Sequence, residues 1–289
     1  MEWDRQGADW PNRAASRFVA ARPHRWHLQE MGEGPLLLLL HGAGGATHSW
    51  RDLMPALARD YRVLALDLPG QGFSRAGNRM RLGLDGMAED IAALLAQEGM
   101  APDAVIGHSA GGALALRVAG VLPQPPRALI GLNPALGKFR GIAGWLFPVM
   151  AKALAVNPFT APLVARTAAS APGVRALIRS TGSELDARGL DLYRRLIADR
   201  AHVDGTLAMM AQWNLDPLIA ALPQVELPVM LLTGGRDAAV PPATSARAAA
   251  RMQRAVWEND PAHGHLMHEE APALAADAIR GFLRRQGVG

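Results

Sequence analysis

A mostly parallel β-sheet flanked by helices, an α/β fold, is what this sequence predicts, and three observations predict it. Short apolar runs alternate along the chain with helical stretches, the pattern of strands joined by crossover helices. One run, Leu36 to Leu40, is five leucines bounded by Gly34-Pro35 and His41-Gly42, as expected of a strand buried on both faces. In the stretch Ala104 to Gly112, AVIGHSAGG, an apolar run, a Gly-rich turn and the start of an apolar helix succeed one another.

Taken in order, Met1 to Ala15 reads as an irregular arm pinned to the body by Trp3 and Trp10. Ser16 to Ala20 and Arg25 to Glu30 read as two strands joined by a turn at Arg22-Pro23-His24. Further strands are expected at Leu36 to Leu40, Val63 to Leu66, Ala104 to Ile106, Ala128 to Leu132, Val229 to Leu232 and Ala255 to Trp257, making eight in all. Ala271 to Arg285 is an amphipathic helix. Residues 134–217 interrupt the alternation after the sixth strand and carry Trp145, Phe147, Met150, Phe159, Met209, Met210 and Trp213 without a strand pattern. This segment reads as a helical cap over the mouth of the sheet, with residues 1–133 and 218–289 as the core. Packing within the cap and the lining of a large apolar ligand would both account for its side chains.

Composition narrows the function classes. With 49% hydrophobic and 19% charged residues, the 289-residue chain suits a globular core rather than a disordered one. It has no cysteine, which removes disulfides, thiolate nucleophiles and Cys-based zinc sites and fits a reducing, cytoplasmic setting. The balance of 30 Lys+Arg against 26 Asp+Glu comes from scattered arginines, so no nucleic-acid stripe is expected. The N-terminal MEWDRQGADWPNR holds acidic residues and no apolar core, unlike a secretory signal. The longest apolar run, Ile142 to Val156, contains Pro148 and Lys152 and falls short of the ~20 residues needed to span a bilayer. Lys138, Arg140 and Lys152 around Trp145, Leu146 and Phe147 would suit peripheral contact with a membrane surface through the cap; a buried cap helix is the competing account.

The chemistry centres on Ser109 in Gly107-His108-Ser109-Ala110-Gly111, a G-x-S-x-G pattern after a strand and before a helix. A serine is a poor nucleophile without a base, an orienting acid and donors for an oxyanion. The chain order Ser, Asp, His is met by Asp237 after the strand Val229 to Leu232 and by His265 after Ala255 to Trp257. Both follow the carboxyl ends of strands, the edge at which open α/β sheets place their sites. Asp237 could instead serve as a turn residue, and Asp260 is the rival acid. His263 and His268 are the rival histidines and are assigned to the rim. The spacing His263-x-His265-x-x-His268 lacks the carboxylate or cysteine that would complete a metal site, so neither metal nor cofactor is expected. The loop His41-Gly42-Ala43-Gly44-Gly45 offers the Ala43 amide as an oxyanion donor beside that of Ala110. Asp67 to Ser74, DLPGQGFS, reads as a tight architectural loop next to the site. Substrate contacts are expected from His41, Gly42, His108 and Asn133 at the strand ends and from Trp145, Met210 and Trp213 in the cap.

His-Gly after the third strand, D-x-P-G-x-G-x-S after the fourth, G-x-S-x-G, G-x-x-D and Gly-His together resemble the α/β-hydrolase superfamily, over essentially the whole chain. HGAGGATHSWRDLMPALA, GHSAGGALALR, GLNPALGKFRGIAG, TGSELDARGLDLY, HVDGTLAMMAQWNLDPL and GHLMHEEAP resemble the BchO family, the magnesium-chelatase accessory proteins of bacteriochlorophyll biosynthesis. The resemblance implies an α/β-hydrolase fold, a tetrapyrrole context and magnesium-chelatase subunits as partners. It leaves two readings: a serine hydrolase of a small-molecule ester, thioester or amide, and a non-catalytic protein that binds or presents a tetrapyrrole. A dehalogenase would want a carboxylate at position 109; haloperoxidases and carbon–carbon hydrolases share the serine triad.

Overall fold

All eight expected strands form one sheet in the order β1-β2-β4-β3-β5-β6-β7-β8. They are β1 (Ser16–Ala21), β2 (His24–Met31), β3 (Leu36–Leu40), β4 (Arg62–Leu66), β5 (Ala104–His108), β6 (Ala128–Leu132), β7 (Val229–Gly234) and β8 (Ala255–Asp260). β2 pairs antiparallel with β1 and with β4; every later pairing is parallel. The computed structural model describes residues 1–137 and 169–289. The expectations placed on Lys138, Arg140, Trp145, Leu146, Phe147, Met150, Lys152 and Phe159 lie outside the described residues.

Helices α1 (Trp3–Gln6), α2 (Leu53–Leu57), α3 (Leu84–Gln97) and α4 (Ala110–Ala119) precede the cap. Between β6 and β7 lie α5 (Ala171–Ser180), α6 (Ala187–Ala198) and α7 (Arg200–Ala211) of the cap, and α8 (Asp216–Ala221) at the return to the core. After β7 come α9 (Pro242–Ala249), α10 (Met267–Glu270) and α11 (Pro272–Arg285).

The five leucines of β3 show why the sheet is covered on both sides. Successive side chains of a strand point to opposite faces. Leu36, Leu38 and Leu40 join a core with Met87 and Ile91 of α3 and Leu114 and Val118 of α4. Leu37 and Leu39 join a second core with Leu53 and Met54 of α2 and Ile279 and Phe282 of α11. All five are buried, each worth roughly 2 kcal/mol of apolar transfer. The N-terminal arm contains a short helical turn, and Trp10 does pin it: the ring is buried and its indole N–H donates to Thr47 Oγ1 at 3.0 Å.

Three strands run past their apolar stretches, β5 to His108, β7 to Gly234 and β8 to Asp260. Pairing is a backbone property, and Gly107 opposite Gly131 continues the ladder without an apolar side chain. These polar, Gly-rich strand ends are where the site begins. β8 is one of the two edge strands, and Val256 and Trp257 on it are exposed. Among the described residues no helix is long and apolar enough to cross a membrane.

Candidate active site

Ser109 occupies the single-residue junction between β5 and α4, with φ 52° and ψ −118°. A non-glycine residue at positive φ is uncommon and strained. The strain is held by hydrogen bonds on both sides: Ser109 N–H donates to Leu132 O at 3.0 Å, and Ser109 O accepts from Gly112 N at 3.0 Å and Ala135 N at 2.9 Å. The flanking glycines are sterically required. A Cβ on Gly107 would overlap the Gly111 carbonyl, and one on Gly111 would overlap the Leu40 carbonyl. The helix therefore starts against the backbone of the sheet, and Ser109 is half-buried between His108 and Ala110, which are both buried.

Asp237 and His265 meet. His265 Nδ1–H donates to Asp237 Oδ2 at 2.8 Å, which leaves Nε2 as the ring's acceptor. Asn133, at the end of β6, donates its Nδ2–H to the same Oδ2 at 2.7 Å, and Oδ1 accepts from Ala239 N at 2.8 Å and Val240 N at 2.7 Å. Four donors use up the lone-pair directions of the carboxylate and fix its orientation. Oδ1 thus takes the turn bonds and Oδ2 the bonds from His265 and Asn133. Asp260, the rival acid, pairs with His263 at 2.9 Å instead.

His265 reaches the serine turn through His108, whose Nε2–H donates to His265 O at 3.0 Å with ring centroids 4.8 Å apart. Neither Ser109 Oγ nor His265 Nε2 is hydrogen-bonded to a described residue; in substrate-free enzymes such contacts are often loose and tighten on binding. The cap braces both loops. Thr181 O accepts from Ala238 N at 3.1 Å and His265 N at 3.4 Å, and Ser183 Oγ accepts from Leu266 N at 2.8 Å.

The loop after β3 presents Ala43 outward, and neither the Ala43 nor the Ala110 N–H is hydrogen-bonded to a described residue. Gly42 lies against the serine: a Cβ there would sit 3.0 Å from both Ser109 Cβ and His108 Nδ1. Gly42 O accepts from His41 Nδ1 at 2.7 Å and Gly45 N at 3.0 Å. Because the carbonyl and N–H of one peptide unit point in opposite directions, these bonds aim the Ala43 N–H the other way. The site can therefore offer a hydroxyl on a strained turn, an oriented imidazole and two N–H groups without a partner among the described residues.

Several expected substrate contacts take supporting roles. His41 is fully buried, with Nδ1 on Gly42 O and Nε2 accepting from Leu68 N at 2.9 Å, so neither nitrogen is left for a ligand. Burial holds its ring below the usual imidazole range. His108 is buried and likewise lowered by burial, then by the neighbouring His268 and His265. Asn133, fully buried at φ 45°, supports the acid rather than facing a substrate. Gly42 abuts the serine as expected. Met210 and Trp213 are half-buried, and Trp213 packs against the core. Trp145 is outside the described residues.

His268 is not on the rim. It is fully buried between His108 and Trp50, with ring centroids at 4.3 and 4.9 Å, because α10 turns inward at once after His265. Burial pushes its ring down to about 3. Its neighbour Glu269 accepts from Tyr193 Oη of α6 at 2.7 Å, and burial pushes that carboxyl up to about 8. His263, His265 and His268 thus enter three different environments. Ser183, Glu269 and Tyr193 carry no local sequence signal, since their partners lie 76 to 87 residues away.

The α/β hydrolase fold family matches residues 35–272. A "Magnesium-chelatase 30 kDa subunit" from Rhodobacter capsulatus is 47% identical over 278 residues, 96% of this chain and 95% of that protein. An esterase from Exiguobacterium antarcticum superposes with a TM-score of 0.76 at 17% identity, covering 92% of this chain and 98% of that one. An α/β hydrolase fold protein from Burkholderia ambifaria gives 0.73 at 24% identity, covering 91% and 98%. At these identities the solved structures speak to fold alone.

Proposed function

This chain belongs to the α/β-hydrolase fold family and, within it, to the family of the magnesium-chelatase 30 kDa subunit; from that premise we propose that it is a serine hydrolase of an ester, thioester or amide. The observation that carries the reading is the His265 ring, held by the four-donor Asp237 carboxylate, brought beside the strained Ser109 turn. Ser109 Oγ bonds to the substrate carbonyl carbon while its proton passes to His265 Nε2. Asp237 fixes the ring and stabilises the imidazolium. The Ala43 and Ala110 N–H groups stabilise the oxyanion, each such donor being worth about 10²–10³-fold in rate. Collapse expels the leaving group, which takes the proton from His265; water then releases the acyl group by the same steps in reverse roles. Residues 134–217 act as the substrate-covering cap on a core of 1–133 and 218–289.

The named relative supports association with other magnesium-chelatase subunits; the family resemblance supports a tetrapyrrole context, and the lack of cysteine a cytoplasmic setting. That same name favours a second reading, a non-catalytic carrier on a hydrolase scaffold. Fluorophosphonate labelling separates the two. The wild type is expected to label and to hydrolyse a short p-nitrophenyl ester, and Ser109→Ala to do neither. An unlabelled wild type would overturn the hydrolase reading. A Ser109→Ala protein that still supports pigment synthesis in cells lacking the native protein would favour the carrier.

A further inference from the structure

We propose that His202, on cap helix α7, is a positioning residue for the Ala43 N–H, acting through a hydrogen-bonded relay of two peptide units; this rests on the reading of Ala43 as an oxyanion donor. His202 Nε2–H donates to Gly44 O at 3.2 Å. Gly44 O belongs to the peptide unit whose N–H is that of Gly45, and Gly45 N–H donates to Gly42 O at 3.0 Å. Gly42 O belongs to the peptide unit whose N–H is that of Ala43. Each planar unit presents its carbonyl on one side and its N–H on the other. The relay therefore runs from the cap imidazole through two peptides and ends on the donor that faces the reacting carbonyl. Chains of hydrogen bonds align and polarise their members in the same direction.

The imidazole is itself held so that it can only act this way. Gly72 N–H donates to His202 Nδ1 at 2.9 Å, which assigns the proton to Nε2. The side chain is buried, and burial lowers its pKa to about 4, keeping it neutral. Asp199 Oδ1 caps α7 by accepting from His202 N at 3.0 Å. One turn further on, Gly205 sits directly on Gly70, where a Cβ would overlap the Gly70 carbonyl. The other side of Gly44 is held from the core, with Gly44 N–H donating to Gln71 Oε1 at 2.8 Å. Gly44 has φ 77°, so without these bonds the loop has the freedom of a glycine hinge.

The test compares His202→Ala, which removes both bonds, with His202→Gln, whose side-chain amide can reach Gly44 O. Kinetics on a p-nitrophenyl ester and affinity for a phenylboronic acid, which mimics the tetrahedral adduct, are measured for each. His202→Ala is expected to lose about tenfold in kcat and a similar factor in boronate affinity, with KM changed less than twofold; His202→Gln should recover most of both. In a Ser109→Ala background, the Gly45 amide should lose protection from hydrogen exchange in the His202→Ala protein and regain it with Gln. Loss confined to KM, unchanged boronate affinity, or unchanged Gly45 protection would overturn the proposal. Should the wild type neither label nor hydrolyse, the hydrolase reading fails while the exchange measurement still decides whether His202 holds the loop.

Discussion

Glu269 is the group on which the electrostatics of this fold can be tested most directly. It is buried beside Tyr193, Ser49 and His268, with Arg51 and Asp52 further out, and burial holds its carboxyl protonated up to about pH 8 against an ordinary value of 4.5. Between those two values the folded protein binds one proton more than the unfolded chain. Unfolding free energy must then fall as pH rises, by about 1.4 kcal/mol per pH unit, reaching roughly 4–5 kcal/mol by pH 8. Glu269→Gln keeps an acceptor for the Tyr193 hydroxyl and removes the titration. The two proteins should have similar stability near pH 4.5, with the variant gaining steadily and leading by several kcal/mol at pH 8. His268, lowered by burial to about 3, pulls stability down toward acid instead, but it is common to both proteins and cancels in the difference. Urea unfolding followed by tryptophan fluorescence at pH 5, 6, 7 and 8 measures that difference. A gap that stays flat with pH would refute a protonated Glu269 in the folded state.

Gly111→Ala should cost about 3 kcal/mol or more, because the new methyl must displace the Leu40 carbonyl of a central strand; equilibrium unfolding reads it, and a loss under 1 kcal/mol would mean that the serine turn packs more loosely against the sheet than this contact requires. Asn133→Ala removes a 2.7 Å donor from Asp237 and places alanine at φ 45°, so stability should fall by roughly 2 kcal/mol and ester kcat by about tenfold or more. Asn133→Gly, which relieves the backbone term alone, should recover stability but not turnover, as thermal melts and kinetics on the same samples will show.

How legible this was depended on whether a signal was local. Leu36 to Leu40 announced a doubly covered strand because burial on both faces leaves no room for alternation. Gly107 and Gly111 announced the serine turn because no other residue fits where helix backbone touches sheet backbone. Asn133 reads as an ordinary strand-end residue; its bond to Asp237 spans 104 positions, and nothing in its neighbours reports that. His268 is hidden for a related reason: its place close to a helix suggests the rim, whereas the start of α10 turns it under His108. His41 stands at a strand end, where substrate contacts are expected, but a buried histidine between two backbone groups organises a loop instead of facing a ligand.

The cap contacts alter what the cap can be in this fold. Thr181 O ties the Asp237 loop to the His265 loop, Tyr193 holds Glu269 just beyond that histidine, and His202 grips the loop that carries Ala43. Each hydrogen bond of this kind contributes only ~1 kcal/mol net, yet a buried polar group left without its partner costs more than the bond returned. Lifting these segments as a rigid lid would strand Glu269, the Gly44 carbonyl and the Gly72 amide together, and would dismantle both ends of the proposed catalytic machinery at once. On the proposed hydrolase reading, a substrate would enter with Thr181, Ser183 and His202 still seated on the core. The segments of the cap that hold the loops in register are thus also part of the site's frame.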